Sequence, residues 1–371
     1  MAAVRETGAL HVVRFAPAKL NLTLAVLGRR DDGFHSLHSI MVPLSLGDAL
    51  TVSVPPAGSG KDSLRVTGLA VSTSPDNLVL RAIAAVRDAV AETRAGAPGA
   101  QRRTPALRPV AGLLAKRIPV AAGLGGGSSD AAAAIDAVLA AWSAGLDPGK
   151  KAELAAALGS DVPFFLAGGA ALVTGRGEFV ESLPDIEGEP PAVLLVTPKV
   201  AVSTAAVFEA YADLARRERS RALDVSKRLA VEMRAGLSSA ELLERAPELA
   251  LANDLMPAAA SVVPGLEAFA IALEDALGRP ICQSGSGPTL WALYRTLAEA
   301  RKAVRFVRLA AVNGTLPLVG SGEPFVAATT IAGRSAPPAV SLPDGTTGAI
   351  RPRTVHNGFD VNERVPDDPA D

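Results

Sequence analysis

Residues 119–136 read PVAAGLGGGSSDAAAAID, a glycine cluster that opens straight into an alanine-rich apolar run. Glycines at 123, 125, 126 and 127 remove side chains that would hold a bulky anion away from the backbone, and they permit positive φ. No Gly or Pro interrupts the chain from Ser128 to Gly145, so the spacing predicts a helix from about Ser128 to about Ser143. The free N–H groups and the positive dipole end of that helix then face the glycine loop, an anion site made of backbone. Ser128, Ser129 and Asp130 suit the N-cap, and the two hydroxyls are candidates to reach a phosphate or a phosphate-bound metal ion. The alternative is a plain turn before a well-capped buried helix. The loop lacks the Gly-Lys-Ser/Thr ending of a P-loop, and Ser128 stands where a dinucleotide fingerprint carries its last glycine.

Upstream, Leu20, Leu22, Leu24 and Val26 alternate with Lys19, Asn21 and Thr23, which predicts a half-buried strand with Lys19 and Asn21 on one face. Pro17 keeps Ala16 extended and helps set the strand's start. Asp32-Gly33 is a two-residue turn signal, so a second strand from Phe34 folds back as a hairpin, with Phe34 and His35 beside the turn. Leu50 to Val54 alternates as a third strand. Ser74-Pro75-Asp76-Asn77 opens a helix over LVLRAIAAVRDAV, and AGAPGAQRRTPALRP after it reads as a surface loop. Val110 to Ile118 is a strand that carries Lys116 near its end into the glycine loop, and DPGKKAELAAALG is a short helix closed by Gly159. On residue chemistry alone, Asp161 in Ser-Asp-Val-Pro is a turn or helix-cap aspartate.

Ala170 to Thr174 is a further strand, and a second domain is expected to begin around Gly175. It holds a short buried strand at Val193 to Thr197, a charged helix carrying Phe208, an amphipathic helix over GLEAFAIALEDALG and a final helix at Leu297 to Leu309. Between the last two, ICQSGSGPTLWALY reads as strand, glycine loop, strand, and the loop Gly285 to Thr289 taken alone is a tight hairpin. From about Gly333 Pro and Gly accumulate without apolar periodicity. The expected organisation is therefore two domains, 1–174 and 175–332, and a disordered tail at 333–371.

A chain of 371 residues that is 49% hydrophobic is long enough for two packed cores. Its formal charge of −1, with acidic and basic residues interspersed, argues against broad binding to nucleic acid or to an anionic membrane. Cys282 is the single cysteine, which permits no internal disulfide and fits a reducing compartment. No apolar run reaches about 18 residues, so a cytoplasmic location is expected. His35 and His38, three apart on a strand, should point to opposite faces, and no Cys/His cluster suggests zinc, so no metal held by the protein alone is expected.

The segment PxxxGLGGGSS at 119–129 resembles the second motif of the GHMP small-molecule kinases, APAKLNL at 16–22 resembles their first and GSGPT at 285–289 their third. Within that family, DGFHSLHS at 32–39, the triple glycine and GSDVPF at 159–164 are similar to the branch that phosphorylates 4-diphosphocytidyl-2-C-methyl-D-erythritol in isoprenoid precursor synthesis. The segment NDL at 253–255 also matches but carries no chemistry readable from its residues. The resemblance implies an α+β fold of two domains with the active-site cleft between them. It implies ATP, with Mg²⁺ brought by the nucleotide. The phosphates would lie against Pro119, Val120, Ala121, Ala122, Gly123, Leu124, Gly125, Gly126, Gly127, Ser128 and Ser129, with Asn77 and Lys116 near the adenine.

Lys19 and Asp161 would be the catalytic pair, Asp161 as base, with transfer to the 2-hydroxyl of the acceptor. Asn21, Phe34, His35, Thr204 and Phe208 would line the site for the cytidyl diphosphate substrate. Phe34 stands where the family often has tyrosine, which loses a hydroxyl and keeps a stacking face. The implied partner is a small molecule, and the implied assembly a monomer or homodimer. Three rival readings are a homoserine kinase, which would lack the Asp161 base, a mevalonate-type kinase, which is not expected to carry DGFHSLHS, and a non-catalytic nucleotide-binding relative, which should have lost Lys19 or Asp161.

Overall fold

The computed structural model describes residues 3–6, 9–56, 60–95, 107–214, 220–334, 340–341 and 347–348. The first half of the chain runs β1 (Ala3–Glu6), β2 (Ala9–Arg29), β3 (His35–Ser53), β4 (Ser63–Gly68), α1 (Leu78–Ala95), β5 (Ala111–Lys116), α2 (Gly126–Ala141), α3 (Pro148–Leu158), α4 (Val162–Ala167), β6 (Ala171–Gly175) and β7 (Phe179–Ser182). Its strands form one seven-stranded sheet in the order β1-β2-β3-β5-β4, with β6 pairing the other end of β3 and β7 pairing β6. The β6–β7 hairpin, across which the sequence-based boundary at residue 175 falls, belongs wholly to this sheet. β4 and β5 are parallel and are joined through α1, the crossover that a parallel pair requires.

The second half adds β8 (Ala192–Thr197), α5 (Thr204–Leu214), α6 (Arg221–Ala235), α7 (Ser239–Glu244), α8 (Ala246–Leu249), α9 (Met256–Val262), α10 (Leu266–Leu277), β9 (Cys282–Gln283), β10 (Leu290–Tyr294), α11 (Leu297–Val312), β11 (Phe325–Thr330), β12 (Val340–Ser341) and β13 (Thr347–Gly348). β11, β8, β10 and β9 form an antiparallel sheet in that order. β11 has no counterpart in the sequence reading. Most of the expected tail, and residues 96–106 of the expected surface loop, lie outside the described residues.

Among the described residues, three large apolar cores and a small one around Phe164 hold these layers. One packs α1, α2 and α3 on the first sheet around Leu50, Ile83, Leu114 and Val138. Another packs α9, α10 and α11 on the second sheet around Leu194, Phe269 and Val307. The central core joins the halves, since Leu20 and Leu22 of β2 meet Val193 and Leu195 of β8 and Leu229 and Met233 of α6. β8 therefore feeds alternate residues to two cores, and its unbroken apolar run is the pattern of a strand buried on both faces.

The same packing corrects two expectations. β2 is buried on both faces over Lys19–Val26, because α6 and the segment around Asn253 cover the side expected to meet solvent. The strand expected at Leu50 is the far end of β3, which pairs with β2 from His35 to Ser53. β2 accommodates that length through three register shifts, between Pro17 and Lys19, between Asn21 and Thr23, and between Val26 and Gly28. Pro17 has no N–H to give a ladder, so it suits the first irregularity, which re-aims the chain just before Lys19. The turn at Asp32-Gly33 joins the strands with Arg29 opposite His35.

Candidate active site

α2 begins two residues before the sequence suggests. Its N-cap is Gly125 at φ 69°, with no side chain capping it, so Ser128, Ser129 and Asp130 lie inside the first turns. Sequence reasoning placed the glycines outside the helix because they are poor helix formers, yet first-turn amides make no intrahelical bond and tolerate glycine. The first such bond is Ser129 N–H to Gly125 C=O, which leaves the amides of Gly126, Gly127 and Ser128 aimed out of the helix end. A side chain at 125 would meet the Phe165 ring at 2.8 Å and Lys19 Cγ at 2.9 Å, so glycine there serves both the left-handed turn and the close approach of Lys19.

The glycine loop is braced by the loop at 284–289. Ser284 Oγ donates to Gly123 C=O at 2.9 Å, and a Cβ on Gly287 would overlap Gly123 N and the Ala122 carbonyl group. The 285–289 segment is a hairpin loop, as its residues suggest, and it also buttresses the glycine loop. Asn253 supplies the chemistry that could not be read from NDL, since its Nδ2 donates to Gly285 C=O at 2.9 Å and to Gln283 C=O at 3.2 Å.

Lys19 is 3% exposed, and its Nζ donates to Asn21 Oδ1 at 2.5 Å and stands 3.7 Å from Asp161 Oδ2. Burial pushes the Lys19 ammonium below the usual lysine range, and the Asp161 carboxylate pushes it back up. Asp161 occupies the N-cap position of α4 but makes no capping hydrogen bond. Asp147, at the same position on α3, accepts from Gly149 N and Lys150 N. The contrast removes the helix-cap reading of Asp161: its carboxylate faces Lys19, with 30% of the side chain open to the cleft.

That cleft has a volume of about 1110 Å³. It brings together Lys19, Asn21, Phe34, His35, Ala121, Gly123, Gly125, Gly126, Gly127, Ser128, Asp161, Thr204 and Phe208. His35 stacks on Phe208 with ring centroids 5.1 Å apart, and burial and Arg29 both lower its pKa, so the ring is neutral at pH 7. His38 takes a different partner, Ser226 Oγ at 2.8 Å. Thr204 opens α5 and accepts from Ser286 Oγ at 3.1 Å. A smaller cavity of about 280 Å³ adjoins on the other side of the loop, lined by Asn77, Lys116, Pro119, Val120 and Asp130 and sharing Ala121, Gly126 and Gly127. Ala122 and Leu124 point into the central core, and Ser129 Oγ is buried without a partner, so these three line neither cavity.

Asn77 caps α1, accepting from Val79 N at 2.9 Å. The Lys116 ammonium is committed to Asp48 Oδ2 at 2.5 Å and Asp130 Oδ2 at 2.7 Å. Asp48 also accepts from Ile118 N at 2.9 Å, tying the end of β5 to the loop. Burial raises the Asp130 pKa to about 8 against the pull of Lys116, so at pH 7 one of the two carboxyls on that ammonium is protonated. A raised carboxyl pKa means the folded chain keeps a proton that the unfolded chain releases. Stability from this group is complete below about pH 4 and is lost as pH rises toward 8. Asp130→Asn should leave the Tm at pH 7 within a few degrees of wild type and flatten its fall between pH 5 and 8. Scanning calorimetry across that range checks it, and a large loss of Tm at pH 7 would mean that Asp130 is ionised there.

Sequence reasoning missed Arg29, Arg176, Glu209 and Asp213, which line the same cleft. Arg29 and Arg176 form no ion pair among the described residues, and Arg176 lies over the Phe34 ring at 5.2 Å. No motif marks them. A cation beside the hairpin turn at Asp32-Gly33 is the one available signal.

The matched family description is GHMP kinases N terminal domain, over residues 77–169. The 4-diphosphocytidyl-2-C-methyl-D-erythritol kinase of Pelotomaculum thermopropionicum is 38% identical over 298 residues, which cover 80% of this chain and 94% of that protein. The enzyme of the same name from Deinococcus radiodurans is 40% identical over 291 residues, 78% of this chain and 86% of that one. The crystal structure of a 4-(cytidine 5'-diphospho)-2C-methyl-D-erythritol kinase superposes with a TM-score of 0.60 at 28% identity, covering 86% of this chain and all of that one. Likeness at that level over about four fifths of the chain places it among the GHMP kinases, in the 4-diphosphocytidyl-2-C-methyl-D-erythritol kinase family.

Proposed function

We propose that this chain transfers the γ-phosphoryl group of ATP to the 2-hydroxyl of 4-diphosphocytidyl-2-C-methyl-D-erythritol. The observation that carries the chemistry is the convergence of Lys19 Nζ and Asp161 Oδ2, 3.7 Å apart, in the cleft that the unpaired amides at the start of α2 also face. The amides and the helix dipole hold the phosphates. Asp161 takes the proton of the acceptor hydroxyl as its oxygen bonds to phosphorus and the bond to ADP breaks. Lys19 offsets the negative charge that gathers on the transferred group.

Among the described residues no cluster of three His, Cys, Asp or Glu side chains is built to hold a metal by itself. Among the oxygen donors facing the cleft, Ser128 and Asp161 beside the glycine loop would suit a Mg²⁺ ion carried by the nucleotide. That ion supplies charge neutralisation at the phosphates.

At the far end of the cleft, Phe34, His35 and Phe208 offer rings to a pyrimidine, and the neutral His35 can both donate to and accept from a base edge. Arg29 and Arg176 put two cations beside them for a diphosphate. Phe208→Ala should raise KM for the cytidyl substrate about tenfold and leave KM for ATP and kcat within about threefold, as loss of one stacking face predicts. Steady-state kinetics in each substrate checks it. The reading as a whole is tested by coupled ADP release against the cytidyl substrate, mevalonate, homoserine and galactose. Turnover of another acceptor in preference to the cytidyl one would overturn it. No single helix among the described residues is long and apolar enough to cross a membrane. The buried Cys282 fits the cytoplasmic setting we assign.

A further inference from the structure

Asn21 reaches the Lys19 ammonium through its amide oxygen, and that orientation is not a free choice. Ser39, on β3, is 0% exposed and lies between Asn21 and the Thr23 backbone. Its Oγ is 2.6 Å from Thr23 C=O and 2.8 Å from Asn21 Nδ2. A carbonyl can only accept, so the single hydroxyl hydrogen of Ser39 is committed to Thr23, and what Ser39 turns toward Asn21 is a lone pair. A lone pair requires a donor. The Asn21 NH₂ must therefore face Ser39, and its Oδ1 must face Lys19, where it sits 2.5 Å from Nζ. Lys19, a donor without acceptor capacity, demands the same orientation from the other end.

We infer that Ser39 is a positioning residue for phosphoryl transfer: its hydroxyl sets which way the Asn21 amide faces and, through it, where the Lys19 ammonium stands. The consequence lies in the distance to Asp161. Held by Asn21, the ammonium stays 3.7 Å from the carboxylate, beyond hydrogen-bond length. Asp161 keeps a lone pair for the acceptor's proton. Without that hold a buried ammonium closes on the nearest anion, and the base is occupied by Lys19 before it can act. The glycine loops wall the pocket on both sides, since a Cβ on Gly285 would stand 3.2 Å from Lys19 Nζ and 3.3 Å from Asn21 Oδ1. Asp161 is the one titratable side chain within ion-pair distance of Lys19 among the described residues. The carbonyl that starts the relay is itself fixed. Thr23 Oγ1 accepts from Ile40 N at 3.1 Å and donates to Ser226 Oγ of α6 at 2.7 Å, and that oxygen lies 2.8 Å from His38 Nδ1.

The inference rests on the proposed transfer, and its test separates the two. Ser39→Ala, Asn21→Ala, the double variant and Ser39→Thr are compared with wild type, and thermal unfolding is followed in parallel. Ser39→Ala should lower kcat about tenfold with KM for ATP within twofold, and Ser39→Thr, which keeps the hydroxyl, should recover most of the rate. The double variant should be no slower than Asn21→Ala within about twofold, because Ser39 acts through Asn21. In the nucleotide-free protein, NMR titration of carbon-13-labelled lysine should place Lys19 at a higher pKa in Ser39→Ala than in wild type, since the released ammonium closes on the Asp161 carboxylate. Should Ser39→Ala not fold, Ser39→Cys, a near-isostere with a weak donor, replaces it in the same cycle. Multiplying losses in the double variant, or an unchanged Lys19 titration, would overturn the inference. The titration uses no substrate, so a wrong acceptor assignment leaves its outcome readable.

Discussion

Asp161→Asn lowers kcat by on the order of a hundredfold or more while the affinity for ATP stays within about threefold. The amide keeps the size of the carboxylate and loses both its charge and its ability to take a proton. Asp161 makes no capping bond to α4, so the exchange removes no helix-stabilising contact, and the fall in Tm should be the part that follows from taking the counter-charge away from buried Lys19. Lys19 supplies a second readout. The carboxylate is what raises the lysine's pKa against burial, so the variant should titrate Lys19 at lower pH. A folded Asp161→Asn protein that turns over near the wild-type rate would remove Asp161 from the base role and leave positioning and Lys19 to account for the catalysis.

Gly287→Ala should raise KM for ATP by on the order of a hundredfold and lower the Tm, although the substitution adds one methyl group and touches no substrate. The added carbon would overlap Gly123 N and the Ala122 carbonyl, and both partners are backbone. Side chains can rotate away from a clash, whereas here the 284–289 hairpin or the glycine loop must shift as a unit. The hairpin is pinned by Asn253 and by the Ser284 bond to Gly123, so the strain passes to the glycine loop whose amides we assign to the phosphates. Gly145→Ala is the control: a Cβ there meets nothing within 4 Å, and activity should be unchanged. Calorimetric titration of a nonhydrolysable ATP analogue measures the affinity directly. Wild-type affinity in Gly287→Ala would show that the two loops are not coupled.

Much of the site was legible because its signals are short-range. Glycine at 125 and the alanine run after it specify a turn and a helix from a dozen neighbouring residues, and the hairpin at Asp32-Gly33 is carried by two. The start of α2 was misplaced because glycine's low propensity counts inside a helix and matters little in its unbonded first turn. β2 was taken as half-buried because alternation reports one buried face and is silent about a second layer, here α6, arriving from far along the chain. Resemblance put Lys116 near the adenine, and the local sequence held no sign of the two aspartates that bind its ammonium, which come from positions 48 and 130.

Resemblance to the GHMP kinases implied the α+β class and the roles of Lys19 and Asp161, and from the order of its residues alone this chain determined a glycine turn, the helix it opens and a hairpin beside it. Those follow from φ preference, helix propensity and hydrogen-bond inventory, which act over a few residues. Only the tertiary structure decided that Asp161 turns to Lys19 instead of capping its own helix, that Ser39 dictates the face of Asn21, and that the loop at 287 leans on the loop at 123. Each is a contact between segments distant in sequence, and its geometry is fixed by how two sheets and a shared apolar core pack, a result of the whole chain's burial that no local window contains.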